Sequence, residues 1–105
     1  MRIEIHSRGM ELNETAENLL RRRVHFAFGR FAGNIQNVSV SLMDENGPRG
    51  GVDKRCRVMV KRRRGNPIIV EGESDEIRQL VDFTLQRAGR TLAREIKREL
   101  CRYTS

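Results

Sequence analysis

A chain of 105 residues with 37% apolar side chains has enough material for one modest core, and a single domain over residues 1–105 is expected. No run approaches the ~18 uncharged apolar residues of a transmembrane helix. The charged start (Arg2, Glu4, Arg8) is unlike a signal peptide, so neither a membrane-spanning nor a secreted protein is expected. The net charge of +7, from 21 basic and 14 acidic residues, points to a polyanionic partner, RNA first.

In chain order, Arg2 to Ser7 alternates Ile3 and Ile5 with polar residues, the period of a half-buried strand. Asn13 suits a helix N-cap, and Glu14 and Glu17 place negative charge in the first turn, where the helix dipole favours it. Ala16, Leu19, Leu20, Val24, Ala27, Phe28 and Phe31 then recur at three- and four-residue spacing. They predict an amphipathic helix of about five turns ending near Ala32–Asn34. Val38, Val40 and Leu42 alternate with Ser39, Ser41 and Met43 as a second strand. Asp44 to Gly51 (DENGPRGG) is turn chemistry and predicts a long hairpin loop.

A third strand turns Cys56, Val58 and Val60 inward and Arg55, Arg57, Met59 and Lys61 outward. Arg64–Pro67 makes a turn, and Ile68 to Glu71 a fourth strand. Ser74 or Asp75 caps a last helix of about 25 residues, with the apolar stripe Ile77, Leu80, Val81, Leu85, Ala88, Leu92, Ile96 and Leu100. The order β-α-β-β-β-α predicts an α+β fold: a four-stranded, mainly antiparallel sheet with both helices on one face. Gly29 and Gly89 lie inside the helices, where close approach to another element is the usual reason for glycine.

The positive charge is uneven, a net +1 over residues 1–52 and +6 over residues 53–105, and eighteen of the 21 basic residues are arginine. Arginine grips phosphate through a planar fork and stacks on bases. Opposite the apolar stripe of the last helix, Arg87, Arg90, Arg94 and Arg98 follow at spacings of three, four and four. They form a ridge about 16 Å long, flanked by Lys97 and Arg102. Glu95 and Glu99 are expected on a neighbouring strip, apart from the ridge. On the first helix Arg23 and Arg30 share a side and would continue the ridge if the helices pack side by side. A second cluster, Arg55, Arg57, Lys61, Arg62, Arg63 and Arg64, lies on the third strand and its turn. It reads as a secondary RNA contact, with Glu71 and Glu73 available to pair with part of it.

Catalytic signals are weak. His6 and His25 lie on different elements, and no nucleophile, phosphate loop or metal-ligand spacing is present, so no enzyme activity, cofactor or metal is expected. Asp44, Glu45 and Asp53 meet at a loop base, where turn formation explains them. Cys56 reads as core, and both it and Cys101 as reduced thiols of a cytoplasmic protein. With no Trp, one Tyr and four Phe that mostly fit the first helix, recognition of backbone or shape is expected ahead of base reading.

Three runs, MRIEIHSRGMELNETAENLL, VSVSLMDENGPRGGVDKRC and SDEIRQLVDFTLQRAGRTLAREIKREL, together resemble the ribosome hibernation-promoting factor family, also called sigma-54 modulation or ribosome-associated inhibitor proteins. Asp82, Arg87, Arg90 and Arg94 fall on that family's last-helix pattern, and Arg23 falls where its first helix usually carries a lysine. A second lysine common there is replaced by the Phe26–Ala27 region, and the Arg62–Arg64 turn is more basic than usual. The chain looks like a short form without the C-terminal dimerisation domain of long members. The resemblance implies a β-α-β-β-β-α fold similar to double-stranded RNA-binding domains. It also implies a cytoplasmic, non-catalytic protein, monomeric off the ribosome, with no small-molecule substrate and no membrane partner. Such a protein would bind small-subunit rRNA and occlude the mRNA/tRNA channel, inhibiting translation or promoting hibernation. The alternative is a general RNA-binding module or chaperone without ribosome preference.

Overall fold

The computed structural model describes residues 1–45 and 53–104, the last three by their backbone alone. Most of the DENGPRGG loop, and the side chain of Arg102, therefore lie outside the described residues. The strands are β1 (Arg2–Arg8), β2 (Ile35–Asp44), β3 (Lys54–Arg62) and β4 (Ile68–Ser74); the helices are α1 (Glu14–Phe28) and α2 (Ile77–Thr104). The sheet order is β1-β2-β3-β4. β3 pairs antiparallel with β2 and with β4, and β1 pairs parallel to β2 because α1 carries the chain back between them.

Register puts the alternating apolar residues in rows across the sheet. Ile3, Val38, Val60 and Ile68 form one row, and Ile5, Val40, Val58 and Val70 the next. Leu42, Cys56 and Gly72 form a third row. The two helices cover this face. Leu20, Val24 and Phe28 of α1 and Leu80, Val81, Leu85, Ala88 and Leu92 of α2 complete the core. Gly72 lets α2 approach the sheet: a Cβ there would stand 3.0 Å from Thr84 Oγ1 and 3.1 Å from a Leu80 methyl. Gly89 does the same for the helix pair, with the Ala27 carbonyl 3.4 Å from where its Cβ would be.

Several boundaries differ from expectation. The helical path does run to Asn34, but α1 stops at Phe28 and residues Gly29–Asn34 tighten into a 3-10 turn. Gly29 has nothing within 4 Å of a Cβ position, so it marks that change of winding rather than a close approach. Asn13 caps α1 as expected, its Oδ1 accepting from Ala16 N at 2.7 Å. On α2 the cap is Glu76 rather than Ser74 or Asp75. Its carboxylate accepts from the backbone N–H groups of Arg78 and Gln79 at 3.1 and 2.9 Å. Those two bonds, Gln79 foremost, hold the Glu76 carboxyl below its usual range. Leu100 is 61% exposed, because α2 runs past the sheet it covers. Among the described residues no helix is long and apolar enough to cross a membrane.

Candidate nucleic-acid interface

Helices α1 and α2 lie side by side and enclose an open groove of about 940 Å³. One wall carries Arg22, Arg23 and Phe26 of α1 and Arg30 of the 3-10 turn that follows it; the wall on α2 carries Asp82, Gln86 and Arg90. The apolar floor comes from Leu19, Ala27 and Leu85. This is the side-by-side packing under which Arg23 and Arg30 continue the α2 ridge. Arg87, Arg94 and Arg98 lead away from the groove along the exposed face of α2, and Arg94, Lys97 and Arg98 rim a second shallow depression.

The electrostatic state of each guanidinium decides its availability. No carboxylate among the described residues lies within ion-pair distance of Arg22, Arg30, Arg87, Arg90 or Arg94. Arg30 sits over the Phe31 ring at 4.6 Å and Arg87 over Phe83 at 5.5 Å, contacts that leave the forks unneutralised. Arg23 is paired with Asp82 across the groove. That pair is exposed on both sides, and pairs of this kind are held by only ~0–1 kcal/mol, so a phosphate can compete for Arg23. Arg98 is paired with Glu95 at 3.3 Å, so the acidic strip does reach the ridge at one point.

The second basic cluster does not join this surface. Arg55 and Arg57 point from the opposite face of the sheet. Arg55 is paired with Glu73 at 3.0 Å and Glu45 at 3.4 Å, and Arg57 with Glu71 at 3.5 Å. Lys61, Arg63 and Arg64 are exposed, but Arg62 corrects the expectation for the turn. Its side chain is 4% exposed and donates to Glu99 Oε1 at 2.5 Å, so it cannot reach RNA. Gly65, at φ +92°, makes room for the pair: a Cβ there would sit 2.7 Å from an Arg62 nitrogen and 3.2 Å from Glu99. At the loop base, Lys54 and Arg55 occupy the carboxylates. Lys54 Nζ lies 3.2 Å from Asp53 and 4.0 Å from Asp44. Hydrogen bonding to Asp53 raises the Lys54 ammonium above its usual value.

Two groove residues escape a reading for shared helix faces that starts from Arg23 and Arg30. Arg22 and Phe26 belong with Arg30 to an i, i+4, i+8 row, and Phe26 is 94% exposed rather than core. The signal was present: Phe26 is the one phenylalanine in 14–31 that falls off the apolar stripe.

A mixed four-stranded sheet in β-α-β-β-β-α order, covered on one face by two helices, defines the architecture. No family model matches the sequence, and no curated protein matches it. Solved structures share the fold over nearly the whole chain. A ribosomal subunit interface protein from Coxiella burnetii superposes with a TM-score of 0.74 at 19% identity, over 92% of this chain and 99% of that one. The N-terminal domain of Thermus thermophilus Protein Y superposes with a TM-score of 0.72 at 17% identity, over 90% and 98%. The fold implied by the family resemblance is the fold found.

Proposed function

We propose that this protein associates with the ribosome and binds rRNA of the small subunit, its body occluding the mRNA/tRNA channel so that translation is held off. The observation that carries the reading is the groove between α1 and α2, where Arg22 and Arg30 on one side and Arg90 on the other have no carboxylate within ion-pair distance among the described residues. Arg30, Arg87, Arg90 and Arg94, with Arg23 released from Asp82 and Arg98 from Glu95, grip phosphates; the folded body supplies the bulk. The likeness in fold to a protein described as a ribosomal subunit interface protein supports the choice of partner. The action is steric and electrostatic and uses no catalytic group.

Arg90 and Arg94 are exposed, so Arg90→Glu with Arg94→Glu leaves the core untouched. The native chain is expected to co-sediment with small subunits through a sucrose gradient, and the double variant to remain at the top with an unchanged melting temperature. Equal co-sedimentation of the two would remove the α2 ridge from the interface. Equal affinity of the native chain for subunits and for unrelated duplex RNA would indicate a general RNA-binding module.

A further inference from the structure

Phe26 has no role in the fold. It is 94% exposed, whereas α1 buries Leu20, Val24 and Phe28 on its other side. An isolated exposed apolar side chain is ordinary, but this one is not isolated. It stands in the wall of the groove above the apolar floor of Leu19, Ala27 and Leu85, with Arg22 one turn before it and Arg30 one turn after. Arg90 faces it from α2. The row Arg22–Phe26–Arg30 spans about 13 Å, running from α1 into the 3-10 turn. A π face between two cations separates the two parts of a nucleotide, base onto the ring and phosphates onto the forks. A Watson–Crick duplex offers its phosphates but no open base face.

We infer that Phe26 is a stacking platform for an unpaired base of the RNA whose phosphates the flanking arginines hold. The inference rests on the rRNA-binding reading and deepens it: the groove takes a single-stranded or bulged nucleotide, whereas the α2 ridge tracks backbone. Recognition by shape and backbone alone, expected from the scarcity of aromatics, does not account for this side chain. The π face of any base satisfies the ring, so the site discriminates unpaired from paired RNA and is tolerant of sequence.

The test compares a short oligoadenylate with an abasic strand of equal length, which presents the same charge without bases. The native chain is expected to prefer the oligoadenylate. Phe26→Ala should shrink that preference by about 5- to 150-fold, the range for loss of one stacked base. Phe26→Trp should keep it, and because the chain has no other tryptophan, quenching of that single indole by oligoadenylate reports the stack directly. Arg90→Glu with Arg94→Glu should lower both affinities and leave their ratio alone. An unchanged ratio in Phe26→Ala, or an unquenched Trp in a bound complex, overturns the stacking role while the rRNA reading stands. Unchanged binding of both strands by the double arginine variant removes only the α2 ridge; if the native chain binds neither strand, the rRNA reading fails and the platform fails with it.

Discussion

Arg62 and Glu99 bring opposite charges from β3 and α2 to 2.5 Å, at a point where the arginine is almost wholly shielded from water. A charge so shielded is tolerated only beside its counter-charge, so the pair ties the far half of α2 to the end of the sheet. Neighbouring Arg63 and Arg64 are exposed, and the difference follows from strand parity. Position 62 shares the inward face with Val58 and Val60; the next residue begins the turn. The two cysteines show the same dependence on placement. Cys56 is 1% exposed, and burial, partly offset by the Thr84 hydroxyl, pushes its thiol up to about 11, whereas Cys101 lies exposed on α2. At pH 8 roughly one in a thousand Cys56 thiols would be ionised, and the thiolate is the reactive form. Native protein treated with a maleimide at that pH is therefore expected to take up one equivalent, and denatured protein two. Cys101→Ser should leave the native chain unlabelled, and labelling of that variant would contradict the packing of β3.

Elements are positioned by what their glycines omit. Gly72 stands where α2 crosses β4, and a methyl group there must displace Thr84 or Leu80 from a close-packed interior. Gly72→Ala is expected to cost about 1–3 kcal/mol through overpacking. Gly29 has helical φ and ψ and open space around it, so Gly29→Ala should add about 0.4–1 kcal/mol by restricting the unfolded chain. Thermal melts of the two variants should therefore move in opposite directions, and parallel shifts would refute the packing assigned to α2. The strands and both helices were legible because alternation and three-four spacing record directly which side chains leave water. The parallel pairing of β1 with β2 follows from the intervening helix. Less legible were features set by tertiary contact. The capture of Arg62 by Glu99 leaves no periodic trace, since it depends on a residue distant in sequence. At the candidate site, spacing alone exposed the α2 ridge. Arg22 and Phe26 were obscured because consecutive arginines hide which one faces the other helix, and because a phenylalanine among apolar neighbours reads as core.

At the scale of the molecule, the principal extents of 54 × 25 × 17 Å are dominated by α2, whose 28 residues run past the sheet. Arg90 of α2 shares one groove with Arg22, Arg23 and Arg30, and Arg87, Arg94 and Arg98 continue from it along exposed α2. The sheet's far face instead matches Arg55 and Arg57 to Glu45, Glu71 and Glu73, so the charge is directional. If about six arginines neutralise phosphates, affinity for small subunits should fall roughly 10³-fold between 50 and 200 mM salt. A nearly flat dependence in a salt titration would mean that the arginines remain solvated in the complex. The bond between Arg62 and Glu99 also bears on the free energy of docking. It acts as a guy-rope on an overhanging spar: the outer turns of α2 are braced before any partner arrives, so seating on a polyanion forfeits little motional freedom and more of the attraction survives as affinity.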